Sequence, residues 1–283
     1  PPLPQSRIAE SPPSPSQETA QQTVSKSLAD LDSDDPEARK RAALVLSKYK
    51  TPRALMGLTR TLKDPVADVR RAALVSLAEQ SMIPPFAADE VLNMLDDQDV
   101  HIRRIASSAL PKIMQIRRRV IQSPRRAAQA EATTETNHGF GKEQAQAIRS
   151  AFADEDETVR KNMLEYHTFF RGLLTPELLV PLLHDPSRDN RILALQAARN
   201  VLPPAKLVEQ ARTLAKDEDK LIRLNLAKTL SQVSHPGVVD VLKTLADDPA
   251  QEVVGQALLG LLYRDGLEGA EPVLNYVGRQ DID

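Results

Sequence analysis

Asp64-Pro65-Val66-Ala67-Asp68-Val69-Arg70-Arg71-Ala72-Ala73-Leu74 is the stretch on which the reading of this chain turns. Asp64 has the chemistry of a helix N-cap, since its carboxylate can accept N–H groups left over in a first turn. Pro65 suits the first helical position, where its missing N–H costs nothing. Val69, Ala72, Ala73 and Leu77 then share one helical face, with small alanines where a second helix must come close. One such helix cannot bury that face alone, so the question becomes how often the stretch recurs.

It recurs along nearly the whole chain. Aligned on Arg70, the counterparts are Lys40, Arg103, Arg160, Arg191, Arg223 and, in the last copy, Val254; the spacings are 30, 33, 57, 31, 32 and 31 residues. Six positions upstream stands an acid each time: Asp34, Asp64, Asp97, Asp154, Asp185, Asp217 and Asp248. The residue before the aligned position is apolar in five of the seven copies, with Arg39 and Asn190 as the exceptions. A second helix fits inside each period, opened by Thr51-Pro52, Pro84-Pro85, Thr175-Pro176, Pro203-Pro204 or His235-Pro236 and followed by an i, i+3, i+4 apolar row. The unit is helix, short turn, helix, at about 31 residues, and stacked units of this kind bury a shared core.

The acid-Pro opening, the Val-Arg pair and the alanine that follows resemble HEAT repeats, in particular short bacterial HEAT-like ones. The resemblance covers residues 17–283 and implies an all-α, right-handed α-solenoid of about seven two-helix repeats. It also implies a ladder between neighbouring repeats, in which Asp64, Arg70, Asp97, Arg103, Asp154, Arg160, Asp185, Arg191, Asp217 and Arg223 are structural. Val254, standing where the others carry a cation, fits a terminal repeat. Members of that family act as scaffolds, adaptors, lyase subunits and, in a few cases, enzymes.

Composition agrees with close-packed helices. Apolar residues make up 41% of the chain but aromatics only 3%, with no Trp, whereas sheets enrich aromatic and β-branched residues. There is no Cys, which excludes disulfides, thiolate metal sites and a cysteine nucleophile. A net charge of −2 implies no global affinity for nucleic acid or membrane. Residues 1–16 hold six Pro and four Ser, the composition of a disordered tail or linker. The first residue is Pro, which fits a processed secreted or periplasmic protein and a soluble fragment of a larger one equally well.

The long spacing marks an irregular repeat. Its first helix runs on through Ile113, Ile116 and Val120, with Pro111 expected to kink it. A polar insertion follows at about 122–141, and a helix from Lys142 to Phe152 resumes the pattern. Residues 101–130 carry Arg103, Arg104, Lys112, Arg117, Arg118, Arg119, Arg125 and Arg126 without an acid, which makes them the candidate partner-binding residues for an acidic surface.

No reactive constellation accompanies this frame. His101, His138, His167, His184 and His235 never stand at ligand spacing, and the His-Glu pairs on which HEAT-type di-iron hydroxylases rely are missing. Asp154-Glu155-Asp156-Glu157 reads as a helix start. Of Phe169 and Phe170, one is expected in the core and the other at the surface. No catalytic, cofactor-binding or metal residue is assigned, and no cofactor. By the resemblance the second helices line the concave side, and they mix signs (Arg53, Arg60, Lys63, Asp89, Glu177, Lys206), which disfavours a nucleic-acid groove. The expectation is a non-enzymatic protein-protein interaction scaffold or adaptor. A subunit resembling bilin lyases, concerned with cofactor attachment, is the alternative, followed by nucleic-acid binding through residues 101–130.

Overall fold

The computed structural model describes residues 15–121 and 140–265, and among these there are fifteen α-helices and no strand. The chain divides into two compact units, Pro1–Ile113 and Met114–Asp283.

The first unit contains α1 (Pro15–Asp30), α2 (Pro36–Leu46), α3 (Pro52–Thr61), α4 (Ala67–Ala78), α5 (Pro85–Asn93), α6 (Val100–Ser108) and the start of α7 (Leu110–Ile121). Each first helix packs on the next first helix, α2 on α4 and α4 on α6, while α3 packs on α4 and α5. The alanines allow this approach: Ala43, Ala73 and Ala106 are completely buried. Contact is close enough for the Ser76 hydroxyl of α4 to donate to the Ala43 carbonyl of α2 at 3.2 Å. The second unit follows the same plan, with α8 (Lys142–Phe152), α9 (Glu157–Glu165), α10 (Pro176–Leu182), α11 (Arg188–Val201), α12 (Pro204–Leu214), α13 (Lys220–Leu230), α14 (Val238–Ala246) and α15 (Gln251–Asp265). There α9, α11, α13 and α15 pack in succession. The seven first helices are α2, α4, α6, α9, α11, α13 and α15.

Four sequence expectations need correction. α1 begins at Pro15, so the last two residues of the segment read as a tail, Pro15 and Ser16, are helical, and the rest of it lies outside the described residues. Proline is accommodated there because a first-turn N–H has no partner in any case. Asp64 is not an N-cap. The helix starts at Ala67 after Val66, and the Asp64 carboxylate accepts the Val66 N–H at 2.9 Å, closing a turn two residues before the helix. The same turn forms at Asp97, Asp154, Asp185, Asp217 and Asp248. Where a second Asp follows two residues later, that one caps: Asp99, Asp156 and Asp219 each accept first-turn N–H groups.

The third correction concerns Pro111, which divides the helix outright. α6 ends at Ser108 and α7 begins at Leu110, so the proline falls in a first turn, where its missing N–H leaves nothing unsatisfied. Of the insertion at 122–141, residues 122–139 lie outside the described residues; Phe140 is buried and Gly141 precedes α8.

The fourth is a register shift of one residue in the first repeat. Arg39, and not Lys40, is the counterpart of Arg70, as its bonds below show. Lys40 instead reaches Glu37 and Asp68 at 3.5 and 3.4 Å from a more exposed position.

Gly57 shows how tightly the first unit closes. A Cβ there would lie 2.5 Å from Leu28 Cδ2 and 3.2 Å from Leu31 Cδ1, so α1 and α3 touch with no room for a side chain. Gly255, exposed in α15, has nothing within 4 Å of such an atom. Replacing a helical glycine by alanine ordinarily stabilises by about 0.5–1 kcal/mol. We therefore expect Gly255→Ala to raise stability by that amount in urea denaturation. Gly57→Ala should show no gain, and Gly57→Leu should lose about 1–3 kcal/mol through overpacking.

Candidate functional site

The strongest polar chemistry in the molecule lies where consecutive repeats meet. Arg70 donates from Nε to Asp97 Oδ2 at 2.7 Å and from Nη2 to Asp97 Oδ1 at 2.8 Å, a two-pronged grip on the next repeat. Its remaining Nη1 donates to the carbonyls of Asp64 and Pro65, in the loop leading into its own helix. One guanidinium thus closes its own loop and holds the following one. Arg39 does the same with Asp64 (2.7 and 3.0 Å), Arg160 with Asp185 (2.5 and 3.0 Å) and Arg223 with Asp248 (2.6 and 3.0 Å). Arg39 Nη1 meets the carbonyls of Ser33 and Asp34, six and five residues back, as in the other copies. Ser33 consequently occupies the acid position of the first repeat, its hydroxyl accepting the Asp35 N–H.

Arg191 is held more loosely, at 3.2 and 3.4 Å from Asp217. Beside it, buried Asn190 explains its own departure from the apolar pattern: its amide donates to the Glu157 carbonyl at 3.2 Å and to Asp185 Oδ1 at 3.3 Å, tying α11 to the start of α9. Arg103 makes the two carbonyl bonds within its own repeat, to Asp97 and Gln98.

These arrangements act on protonation. At Asp185, burial works to raise the carboxyl, but hydrogen bonds from Arg160 and the Ser187 N–H, the guanidinium charge and Asn190 outweigh it and hold it below 3.8, its ordinary value. Asp64 and Asp248 are likewise lowered; burial opposes the shift, and Arg39 with the Val66 N–H, or Arg223 with the Ala250 N–H, overcomes it. Arg39, Arg70, Arg160 and Arg223 are raised, chiefly by their hydrogen bonds to the facing aspartates.

The basic segment is less available than its sequence suggests. Lys112 donates from Nζ to the carbonyls of Ala78 and Gln80, the latter at 2.8 Å, and so neutralises the C-terminal end of α4. Gln80 in turn donates to the Ser47 carbonyl at 2.9 Å. Three successive helix ends are stitched together on the side away from the aspartates. Arg103 is engaged as described, and Arg104 is exposed on α6. Arg117, Arg118 and Arg119 fall on α7, whose side chains beyond residue 116 are not described, and Arg125 and Arg126 lie outside the described residues.

The second unit has a cavity of about 550 Å³, lined among others by His167, Thr168, Phe170, Arg171, Thr175 and Asn200. The His167 Nδ1 contacts the Leu164 carbonyl at 2.7 Å, while Nε2 is buried without a partner. His184 meets Gln210 at 3.1 Å, His235 Nδ1 accepts the Gly237 N–H ahead of α14, and His101 is exposed; His138 lies outside the described residues. Among the described residues no group of three or more His, Cys, Asp or Glu is placed to hold a metal. Phe170 is fully buried against Phe140 and Phe152, whereas Phe169 is half-buried and meets Tyr166.

The profile of HEAT repeats matches residues 15–78 and 176–262, more than half of the chain and on both sides of the irregular repeat. The chain belongs to the HEAT-repeat family. No curated protein sequence matches it. Solved structures similar to this HEAT-repeat chain include the Escherichia coli protein YibA, at 14% identity and a TM-score of 0.45, covering 98% of this chain and 100% of that one. A designed armadillo repeat protein in complex with the peptide (KR)4 matches at 16% identity and a TM-score of 0.42, covering 85% and 98%. Human deoxyhypusine hydroxylase in complex with glycerol matches at 19% identity and a TM-score of 0.36, covering 88% and 98%. These likenesses concern the helical-repeat fold alone. No described helix of the HEAT-repeat chain is long and apolar enough to cross a membrane.

Sequence reasoning missed Arg39, the Ser47–Gln80–Lys112 stitch and a second acid-free run, residues 47–63. Arg39 was open to view as the copy that brings the first spacing to the common 31 residues. The stitch uses carbonyl acceptors, which leave no trace in side-chain identity.

Two predictions follow from the joints. Arg160→Ala leaves Asp185, whose side chain is only 2% exposed, without its charge partner. We expect a loss of about 2–3 kcal/mol, somewhat under the figure for a fully buried pair, and a smaller loss for Arg191→Ala, both read from denaturant midpoints. The depressed carboxyls stabilise the fold fully above their unfolded value of 3.8, and that contribution disappears as pH falls through the lower folded values. Stability measured across that acid range should therefore fall less steeply in Asp185→Asn than in the wild type.

Proposed function

We propose that this HEAT-repeat chain is a non-enzymatic scaffold or adaptor that binds another protein along its helical surfaces. The observation that supports this most is the division of labour among its polar groups. The buried charges are committed to joints between repeats, where the guanidiniums of Arg39, Arg70, Arg160, Arg191 and Arg223 are bonded on both sides. The surfaces left over are helix faces with large apolar side chains on show, among them Leu44, Met56, Phe86 and Tyr263. Where such side chains adjoin one another they mark contact regions, whereas isolated ones are ordinary on a protein surface. The His167 cavity brings one histidine, one arginine and the hydroxyls of Thr168 and Thr175 to its lining, with no Asp or Glu among the described lining residues to orient the imidazole as a base.

The basic segment remains part of the proposal through Arg117, Arg118, Arg119, Arg125 and Arg126, with exposed Arg104 in the same segment, whereas Lys112 is engaged with backbone carbonyls. Crosslinked capture from native extract, compared with a charge-matched bait, is the test. A specific protein recovered in near-equal amount with the chain is expected. Recovery of nothing beyond the control bait would remove the scaffold reading. Reversing Arg117, Arg118 and Arg119 to Glu should weaken capture several-fold while leaving the melting temperature in place; undiminished capture would exclude the basic segment as the contact.

A further inference from the structure

From Ser47 to Lys63 the chain carries Lys48, Lys50, Arg53, Arg60 and Lys63 and no acid. Two of these five are answered: Arg60 by Asp32 at 2.8 Å, and Lys63 by Glu90 at 2.8 Å. Lys48, Lys50 and Arg53 are exposed, and no acid among the described residues pairs with them. They sit at the turn between α2 and α3 and on the first turn of α3.

Large apolar side chains stand on the same part of the first unit. Met56 is 61% exposed, Met82 52% and Phe86 49%. An offset of 33 residues superposes α3 on α5, pairing Ala54 with Ala87, Leu58 with Val91 and Leu62 with Leu95, every one of them completely buried. In that register Phe86 is the counterpart of Arg53. Because α3 packs on α5, these equivalent positions, both exposed, belong to neighbouring helices of the first unit. Met56 is three residues beyond Arg53 and shares its side of α3. The Gln80 amide, bonded to the Ser47 carbonyl, ties the turn that carries Met82 to the turn that carries Lys48 and Lys50.

We propose that this edge of the first unit docks an acidic peptide segment with large apolar side chains, its carboxylates on Lys48, Lys50 and Arg53 and its apolar groups against Met56, Met82 and Phe86. The proposal rests on the scaffold reading and names the chemistry of one partner. Three unanswered cations beside three exposed apolar side chains ask for both features in one ligand. Charge alone would give weak, salt-screened attraction. Apolar contact alone would not select for sign. Methionine, unbranched and polarisable, conforms to apolar side chains of varied shape. A single-stranded nucleic acid would instead use successive aromatic platforms, and of these three apolar residues only Phe86 is aromatic.

The test is selection from a random peptide library on the full chain, followed by binding of the selected peptides to variants. Peptides rich in Asp or Glu together with Leu, Phe or Met are expected. Their affinity should fall at least about tenfold for Lys48→Glu/Lys50→Glu/Arg53→Glu and for Met56→Ser/Phe86→Ser, and should weaken as salt rises. Both variants alter exposed side chains, so unchanged circular dichroism and melting temperature verify their folding. Selected peptides without acidic enrichment, or peptides that bind both variants as tightly as wild type, overturn the proposal. So does retention of a random single-stranded oligonucleotide, lost in the charge-reversed variant, when no acidic peptide is selected. In each of these cases the scaffold reading still stands or falls on its own capture experiment.

Discussion

The Arg–Asp fork between repeats is the interaction on which the described structure depends. A first helix such as α4 presents a narrow apolar face built from alanine and leucine, and that face is buried only while the neighbouring first helix stays in register. Apolar contact is nearly indifferent to small slides along the helix axis. A guanidinium with two bonds to one carboxylate and two to its own loop carbonyls is not indifferent, because its donors point in fixed directions. Burial supplies the attraction, and the fork selects which alignment receives it.

Each element of the joint follows from that requirement. The aspartate must present both oxygens to the arginine while Oδ1 also accepts the N–H two residues on, which fixes the loop and leaves capping to the next polar residue, Asp99, Asp156 or Asp219. The looser grip at Arg191 coincides with buried Asn190, which bonds the same aspartate that Arg160 holds, so neighbouring joints share acceptors. At the opposite ends of the helices, Gln80 and Lys112 cover carbonyls that no helix can satisfy internally.

Most of the fold was legible because it is periodic. The acid at position zero and the arginine at position six are side-chain identities, and their repetition located the first helices, although the first copy has Ser33 in place of the acid and the last has Val254 in place of the arginine. The function of the acid was misread, since a helix-start sequence shows that an aspartate is near the first turn without showing which of two residues makes the cap. The slip between Lys40 and Arg39 arose because two cations stand side by side and only the bonds of Arg39 to Ser33, Asp34 and Asp64 distinguish them. The candidate contact surface was least legible. Residues 101–130 and 47–63 are both acid-free, yet the sequence of the first does not reveal that Lys112 is turned toward backbone carbonyls. The second hides among helices whose signs are mixed overall, and its prominence depends on which cations find an acid elsewhere in the fold.

The joint has a consequence for how such a chain can grow. Each fork unites one cation with one anion, so duplicating or deleting a whole repeat adds or removes a neutral couple. The chain holds 37 Lys and Arg against 39 Asp and Glu and stands at −2. The neutrality belongs to the joint and not to the repeat: residues 34–63 carry eight cations and three acids, and residues 64–96 two cations and six acids, so gaining or losing a repeat leaves every joint balanced while shifting the surface charge by several units.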